Sequence, residues 1–478
     1  SFLRNMILAR LLTKADFGAA ATLGIVLGLL ELTAKTGIAR FVVQDRDGDR
    51  PEFIATVHAF QTCLGLLSAL LVLAATPFSA RIFDLHGPLW VLCLLALIPL
   101  LRGLEHADVR TFERNLRFGP STMVEMVPQV IITAAAWPVA IWLPDFRCVL
   151  VLMIAKSAMS CAMSHVLANR PYRWQWQKVY LRRMVRFGWP LLINGFLMFG
   201  IFQGDQLIVA TFYTLSDLGP YAAASALAMV PGLLFGNVIG SVTLPILSQV
   251  QDDKEEFQKR YRQVMAAVIL LSATSGVGMI LGSEPLMRIV YGEKYAGSGI
   301  ILGWLAACHA LRNLRIFPTT AALAQGDSQN SLFSNIGRVI GLIPALVAAL
   351  TGMPIWTVAA SGLVGEAIAS WVSFKRLERR DGIPFYTSLH EIAIFALGLG
   401  GAGLAWWAVV QRMTMPVTVL VTLAGTLLAG VIIVVATQEL RAEVSSARQA
   451  FMRGGWREVW LQLRVGVVES KLNTSQRA

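Results

Sequence analysis

Charge is what this 478-residue chain has least of. Only 15% of its residues are charged, against 55% hydrophobic, and the mean hydropathy is +0.60. Soluble domains carry roughly 25% charged residues, so the composition excludes an ordinary soluble protein. Cysteine is scarce as well. Cys63, Cys93, Cys148, Cys161 and Cys308 all lie in apolar spans or at their ends, and none forms a C-x-x-C pair. That leaves small buried thiols and excludes a disulfide framework or a thiolate metal site. No G-x-x-x-x-G-K-S/T loop and no H-E-x-x-H occurs, so no ATPase is built in. Gly398, Gly400 and Gly403 spell G-x-G-x-x-G inside an apolar span rather than at a strand–helix turn. Close helix packing is their expected role, as for the pairs Gly24/Gly28, Gly236/Gly240 and Gly337/Gly341.

Long apolar runs are what the chain has. They fall at 1–12, 17–41, 52–76, 87–108, 118–143, 147–169, 186–213, 218–248, 263–284, 297–325, 331–350, 354–375, 388–410 and 416–437. This pattern predicts an all-α polytopic membrane protein of fourteen helices. Only three residues precede Arg4, too few for a span of about 20 residues, so the first helix is expected to be truncated. No signal peptide is expected.

The basic residues alternate with the spans. One set of connections holds Arg40, Arg46 and Arg50, then Arg102 to Arg117, Arg170 to Arg186, Lys254 to Arg262 and Lys375 to Arg380, together with the tail. The opposite set holds only Arg10, Lys14, Arg81, Arg147, Arg288, Lys294 and Arg412. By the positive-inside rule the basic side is cytoplasmic, with both termini inside. Basic residues scattered between spans also exclude nucleic acid as the reason for a pI near 9.8. No far-side connection is long enough for an enzymatic domain.

The chain repeats itself. A shift of 201 residues lays Ile7 on Ile208, Thr13 on Thr214, Asp16 on Asp217 and Gly18 on Gly219, a shared T-x-x-D-x-G turn. Six spans separate the copies, so both insert with one orientation. The expected plan is two six-helix lobes, 1–169 and 187–378, with substrate between them. Residues 170–186 form the linker, expected as a helix lying at the inner interface. Helices 13 and 14 occupy 379–437, and a basic amphipathic tail covers 438–478.

Charges inside spans cost about 2.5–3.5 kcal/mol each on insertion scales, so each must face a cavity or a partner. Arg4 falls on Asp205 under the repeat, which suggests an outer gate pair or a static ion pair across the lobes. Glu31 and Lys35 are four apart on one helix face, in reach of mutual neutralisation. His309, Arg312 and Arg315 recur every three residues, a pattern suited to an anion. Lys156, Arg338 and Glu366 stand singly. The surplus is cationic, and guanidinium groups fork onto phosphate oxygens, so a pyrophosphate is a fitting cargo. Substrate binding is therefore expected at Arg4, Lys35, Arg312, Arg315, Lys156 and Arg338. Asp205, Glu31 and Glu366 are the candidate gate or ion-coupling groups, for a proton or a sodium ion. No cofactor is expected.

At these residues the sequence resembles the polysaccharide transporter (O-antigen flippase) family of the multidrug/oligosaccharidyl-lipid/polysaccharide exporter superfamily. The resemblance rests on LRNMILARLLTKADFG (3–18), GDQLIVATFYTLSDLGPY (204–221), LPILSQVQDDKEEFQKRYRQ (244–263) and EPLMRIVYGEKY (284–295). It implies an inner-membrane flippase that moves undecaprenyl-pyrophosphate-linked oligosaccharide outward by alternating access around a cationic cavity. Lipopolysaccharide, capsule or exopolysaccharide assembly would follow, with membrane lipids as surroundings and polymerase and chain-length proteins as partners. Arg4 matches a cavity arginine shared by the related lipid II flippases, Lys35 lies near another basic cavity position, and helices 13 and 14 resemble a lipid-tail groove there. Two rivals remain. A multidrug cation antiporter of the same superfamily would want an acidic cavity, and a membrane polymerase or ligase would want a large outer loop with paired catalytic groups.

Overall fold

The computed structural model describes residues 2–30, 37–83, 89–383 and 389–442, with a few isolated residues beyond. All of the regular structure in the described residues is helical. In chain order the principal helices are α1 (Phe2–Leu11), α2 (Lys14–Leu30), α3 (Ile38–Gln44), α4 (Pro51–Ile82), α5 (Leu89–Gly103), α6 (Val109–Arg114), α7 (Gly119–Trp142) and α8 (Arg147–Leu167). They continue with α9 (Lys178–Phe212), α10 (Leu215–Ser248), α11 (Lys254–Leu281), α12 (Ser283–Tyr291), α13 (Gly299–Ala324), α14 (Gln329–Leu350), α15 (Ile355–Asp381), α16 (Leu389–Ala408) and α17 (Met415–Ala436).

Among the described residues, eleven helices are long and apolar enough to cross a membrane. The three other expected spans, at 1–12, 17–41 and 87–108, correspond to the shorter α1, α2 and α5 among the described residues. Burial runs against what water would select. Only 6% of the most apolar stretch of α17 is buried, and Leu420, Leu427 and Val431 lie outward. In α13, which carries His309, Arg312 and Arg315, 67% is buried. An apolar exterior over a more polar interior is stable only with lipid as the solvent.

The chain forms two compact units, one of residues 1–229, 284–305 and 335–368, the other of 230–283, 306–334 and 369–478. Helices α10, α13, α14 and α15 each run from one unit into the other. The second unit is cored by Phe257, Tyr261 and Met265 of α11 against Phe317 of α13 and Phe374 and Leu377 of α15. Its basic end is locked by Asp327, buried at 1% exposure in the α13–α14 turn. The carboxylate accepts from Arg376 Nε at 2.6 Å and from Arg380 Nη1 at 2.8 Å. Burial alone would raise this carboxyl, but the Arg376 and Arg380 guanidinium groups outweigh it and hold it below the ordinary value. A depressed folded-state value gives stability that is present above the unfolded carboxyl's pKa and lost as pH falls through the folded one. Asp327→Asn is expected to lower the thermal unfolding midpoint at pH 7 and to flatten its decline toward pH 3, read in detergent by tryptophan fluorescence.

The linker departs from the interfacial helix expected of it. Residues 171–177 are non-helical, and Lys178 to Arg186 are the first turns of the 35-residue α9. Local chemistry explains the extended path. Buried Asp108 accepts the Asn169 and Arg170 amides at 2.9 and 3.2 Å, Pro171 follows, and Tyr172 stacks on His58 with ring centroids 4.2 Å apart. His58 Nε2 accepts the Ala107 amide while Nδ1 donates to the Arg173 carbonyl, which ties the segment to α4. The amphipathic tail expected over 438–478 lies mostly outside the described residues.

Candidate functional site

The repeated turn is a pair of matching helix caps. Thr13 precedes α2, donates to the Asp16 carboxylate and accepts the Asp16 amide at 3.0 Å. Thr214 precedes α10 and does the same with Asp217, at 2.7 and 3.2 Å. A hydroxyl and a carboxylate three residues on satisfy the open amides of a helix start. The next conserved spacing of the repeat, to glycine, serves contact between the copies. A Cβ on Gly18 would overlap the Leu215 carbonyl oxygen, and one on Gly219 would overlap that of Lys14. The two repeat-related helix starts therefore cross backbone to backbone.

Beside this crossing lies a reciprocal latch. Arg10, at the end of α1, donates to the Val290 carbonyl at 2.9 Å and to that of Ile289. Lys294 donates back to the Arg10 carbonyl at 3.0 Å and to that of Leu12. Arg10 thus covers carbonyls at the C-terminus of α12, and Lys294 covers carbonyls at the C-terminal end of α1, where the dipole favours positive charge. Glu284 holds the intervening turn, accepting the Gly297 and Gly299 amides at 2.8 and 3.0 Å and Arg288 Nε at 2.8 Å. Tyr291 donates to the Ala223 carbonyl at 2.9 Å and so seats α12 on α10. The motif EPLMRIVYGEKY is the text of this latch.

Within the same unit, a cavity of about 350 Å³ opens beside Arg4, Asn5, Gln203 and Gln206, with Phe17 and Met153 among its apolar lining. Arg4 donates to Asn5 Oδ1 at 3.3 Å, and its Nε is buried without a hydrogen-bond partner. Among the described residues no carboxylate lies within ion-pair distance of Arg4. Lys156, one turn along α8 from the lining residue Met153, donates to Gln129 Oε1 at 2.7 Å and likewise has no carboxylate partner there. An uncompensated cation at membrane depth persists where water or an anion can reach it.

The remaining expected residues divide. Arg4 and Asp205 do not form the ion pair suggested by the repeat. The Asp205 carboxylate instead accepts the Tyr221 hydroxyl at 2.9 Å, where the first copy has Ala20 in the place of that tyrosine. Arg338 and Glu366 are a buried pair, Nε to Oε1 at 2.6 Å, with Arg338 also donating to the Ile201 carbonyl at 3.1 Å and lying 5.2 Å over the Phe202 ring. Arg315 donates to Ser334 at 3.0 Å, and Arg312 lies 3.3 Å from His309 Nδ1, both in the second unit. Glu31 and Lys35 lie outside the described residues. Among the glycines, Gly341 meets Gly365, Gly28 meets Gln203 and Gly236 meets Ile316; Gly24 and Gly240 are open, and so are three more, since a Cβ on Gly398, Gly400 or Gly403 would meet nothing within 4 Å. Close packing is therefore not what those three supply.

A multispan helical bundle with apolar flanks and a cationic cavity places the chain in the class of polytopic membrane transporters. A family pattern described as polysaccharide biosynthesis protein matches residues 7–299, more than half of the chain, and the chain belongs to that family. Among its relatives are the succinoglycan biosynthesis transport protein ExoT of Rhizobium meliloti, 23% identical over 64% of this chain, and the lipopolysaccharide biosynthesis protein WzxC of Escherichia coli, 20% identical over 82%. The match spans 62% of the first and 83% of the second. The fold is that of the lipid II flippase MurJ in an inward closed conformation, with a TM-score of 0.68 at 12% identity, covering 91% of this chain and 96% of that one. It is shared with an inward-facing multidrug resistance MATE-family transporter, with a TM-score of 0.62 at 12% identity over 81% and 95% of the two chains.

Proposed function

We propose that this protein flips undecaprenyl-pyrophosphate-linked oligosaccharide from the inner to the outer leaflet of a bacterial inner membrane, for lipopolysaccharide, exopolysaccharide or capsule assembly. The observation that carries the reading is Arg4 with Lys156, two intramembrane cations with no carboxylate within ion-pair distance among the described residues, the first of them facing a cavity. Carrying a bare pyrophosphate through hydrocarbon would cost tens of kcal/mol by Born estimates, and a guanidinium at membrane depth replaces part of its lost hydration. The names of the relatives support the substrate class, since they belong to succinoglycan and lipopolysaccharide biosynthesis. On this reading the basic side is cytoplasmic with both termini inside, and polymerase and chain-length proteins take up the product. Alternating access then requires the far-side crossing at Gly18 and Gly219, with its latch, to part and re-form in each cycle. The membrane potential assists, at about 2.3 kcal/mol per charge per 100 mV for an anion moving outward.

Charge-assisted hydrogen bonds contribute roughly 1.5–3 kcal/mol each, so losing one weakens binding about 10- to 100-fold. In cells lacking the native gene, Arg4→Gln with Lys156→Gln is expected to cut polysaccharide export at least tenfold. Lipid-linked oligosaccharide should accumulate on the cytoplasmic face. Full export by the double variant rejects the reading.

A further inference from the structure

We propose that Gln203 and Gln206 read the hydroxyl groups of the sugar attached to the pyrophosphate, and so set which glycan is accepted. This rests on the reading of the Arg4 cavity as the headgroup site. The two glutamines sit three apart on α9, on one helix face, and both line the cavity with Arg4. Both are half-buried within an apolar span. Among the described residues neither carboxamide makes a hydrogen bond to the protein. Several neighbouring polar groups of the unit are already engaged: Gln129 is taken by Lys156, Asp205 by Tyr221, and Arg338 by Glu366 and Ile201. A carboxamide at membrane depth with no protein partner is satisfied by water or by a ligand. Gly28 makes room for one of them, since a Cβ there would come within 3.2 Å of Gln203 Nε2.

The chemistry separates two parts of one cargo. Arg4 offers charge and a fixed fork of donors, which suits phosphate oxygens. Each glutamine offers two donors and an acceptor without charge, which suits neighbouring sugar hydroxyls, themselves both donors and acceptors. A carboxamide can donate to a phosphate oxygen, but its acceptor oxygen finds a partner only on a hydroxyl, so the two contributions are separable by experiment.

The test uses the full-length protein in lipid nanodiscs and two probes, a polyprenyl diphosphate without sugar and the same lipid carrying one hexose. Binding is read by the shift in unfolding temperature across a ligand titration. The wild type is expected to bind the glycosylated lipid more tightly. The double variants Gln203→Leu/Gln206→Leu and Gln203→Met/Gln206→Met are expected to lose that preference, weakening about tenfold toward the glycosylated lipid. Affinity for the bare diphosphate should stay within twofold. The methionine variant keeps the side-chain shape, so folding is preserved if leucine disturbs it. Equal binding of both lipids by the wild type overturns the proposal, as does a retained preference in the folded double variants. Arg4→Gln is expected to weaken both lipids alike. If it weakens neither, the headgroup site itself is wrong, an outcome distinct from failure of the glutamines.

Discussion

A single methyl group at Gly18 or Gly219 is expected to stop transport and leave the crossing end of the first unit open. The added Cβ meets a backbone carbonyl oxygen rather than a side chain, so no rotamer change relieves it. Overpacking a close contact costs about 1–3 kcal/mol or more, comparable to the few kcal/mol that would separate the states of the proposed alternating-access cycle. The strain falls on whichever conformation needs the crossing, which is the one closed at this end. Gly18→Ala or Gly219→Ala should therefore raise the labelling of a cysteine placed at the cavity position Asn5 by a membrane-impermeant thiol reagent, with native cysteines replaced. Export should fall at least tenfold. Arg10→Ala and Lys294→Ala remove latch bonds without forcing the helices apart, so the same labelling should rise less. Unchanged labelling in well-expressed glycine variants would mean that the crossing is static packing.

That crossing was partly legible. The repeat places Gly18 on Gly219 at a fixed offset, and the Thr–Asp spacing announces a helix start, because both are local rules written in adjacent residues. That the two glycines touch each other was not legible, since it depends on how the helices meet. Intramembrane charge was legible as a cost, but the identity of the partner was not. Arg338 and Glu366 stand 28 positions apart in different helices, and nothing local pairs them. Symmetry misled where it was only approximate. The repeat invites an Arg4–Asp205 pair, and one substitution, Tyr221 in the place of Ala20, gives the aspartate a partner in its own copy. Gln203 and Gln206 give no signal in the sequence, because they carry no charge and a carboxamide in a span is cheap enough to pass for filling. Pro171 and the caps from Asp108 decided the linker against helix, a tertiary effect that the basic and aromatic composition of 170–186 hides.

The largest stability effect is expected at Glu366. Its side chain and that of Arg338 retain 2% and 7% of their exposure, and the pair closes at 2.6 Å. Removing one partner of a buried ion pair leaves an unmatched charge and costs about 3–5 kcal/mol, whereas replacing both by apolar groups of similar volume is often nearly neutral. Glu366→Gln is therefore expected to lower the unfolding temperature and the yield of folded protein sharply, and Arg338→Met with Glu366→Leu to recover most of the loss. Arg338 also binds the Ile201 carbonyl and covers Phe202, next to the cavity residue Gln203, so the pair fixes this stretch of α9. That position distinguishes support from substrate binding. If the pair is a support, export per folded molecule in the double variant stays close to the wild type. If Arg338 instead contacts the anionic cargo, export collapses in the double variant while its unfolding temperature stays high, and the place of Arg338 among the binding residues is restored.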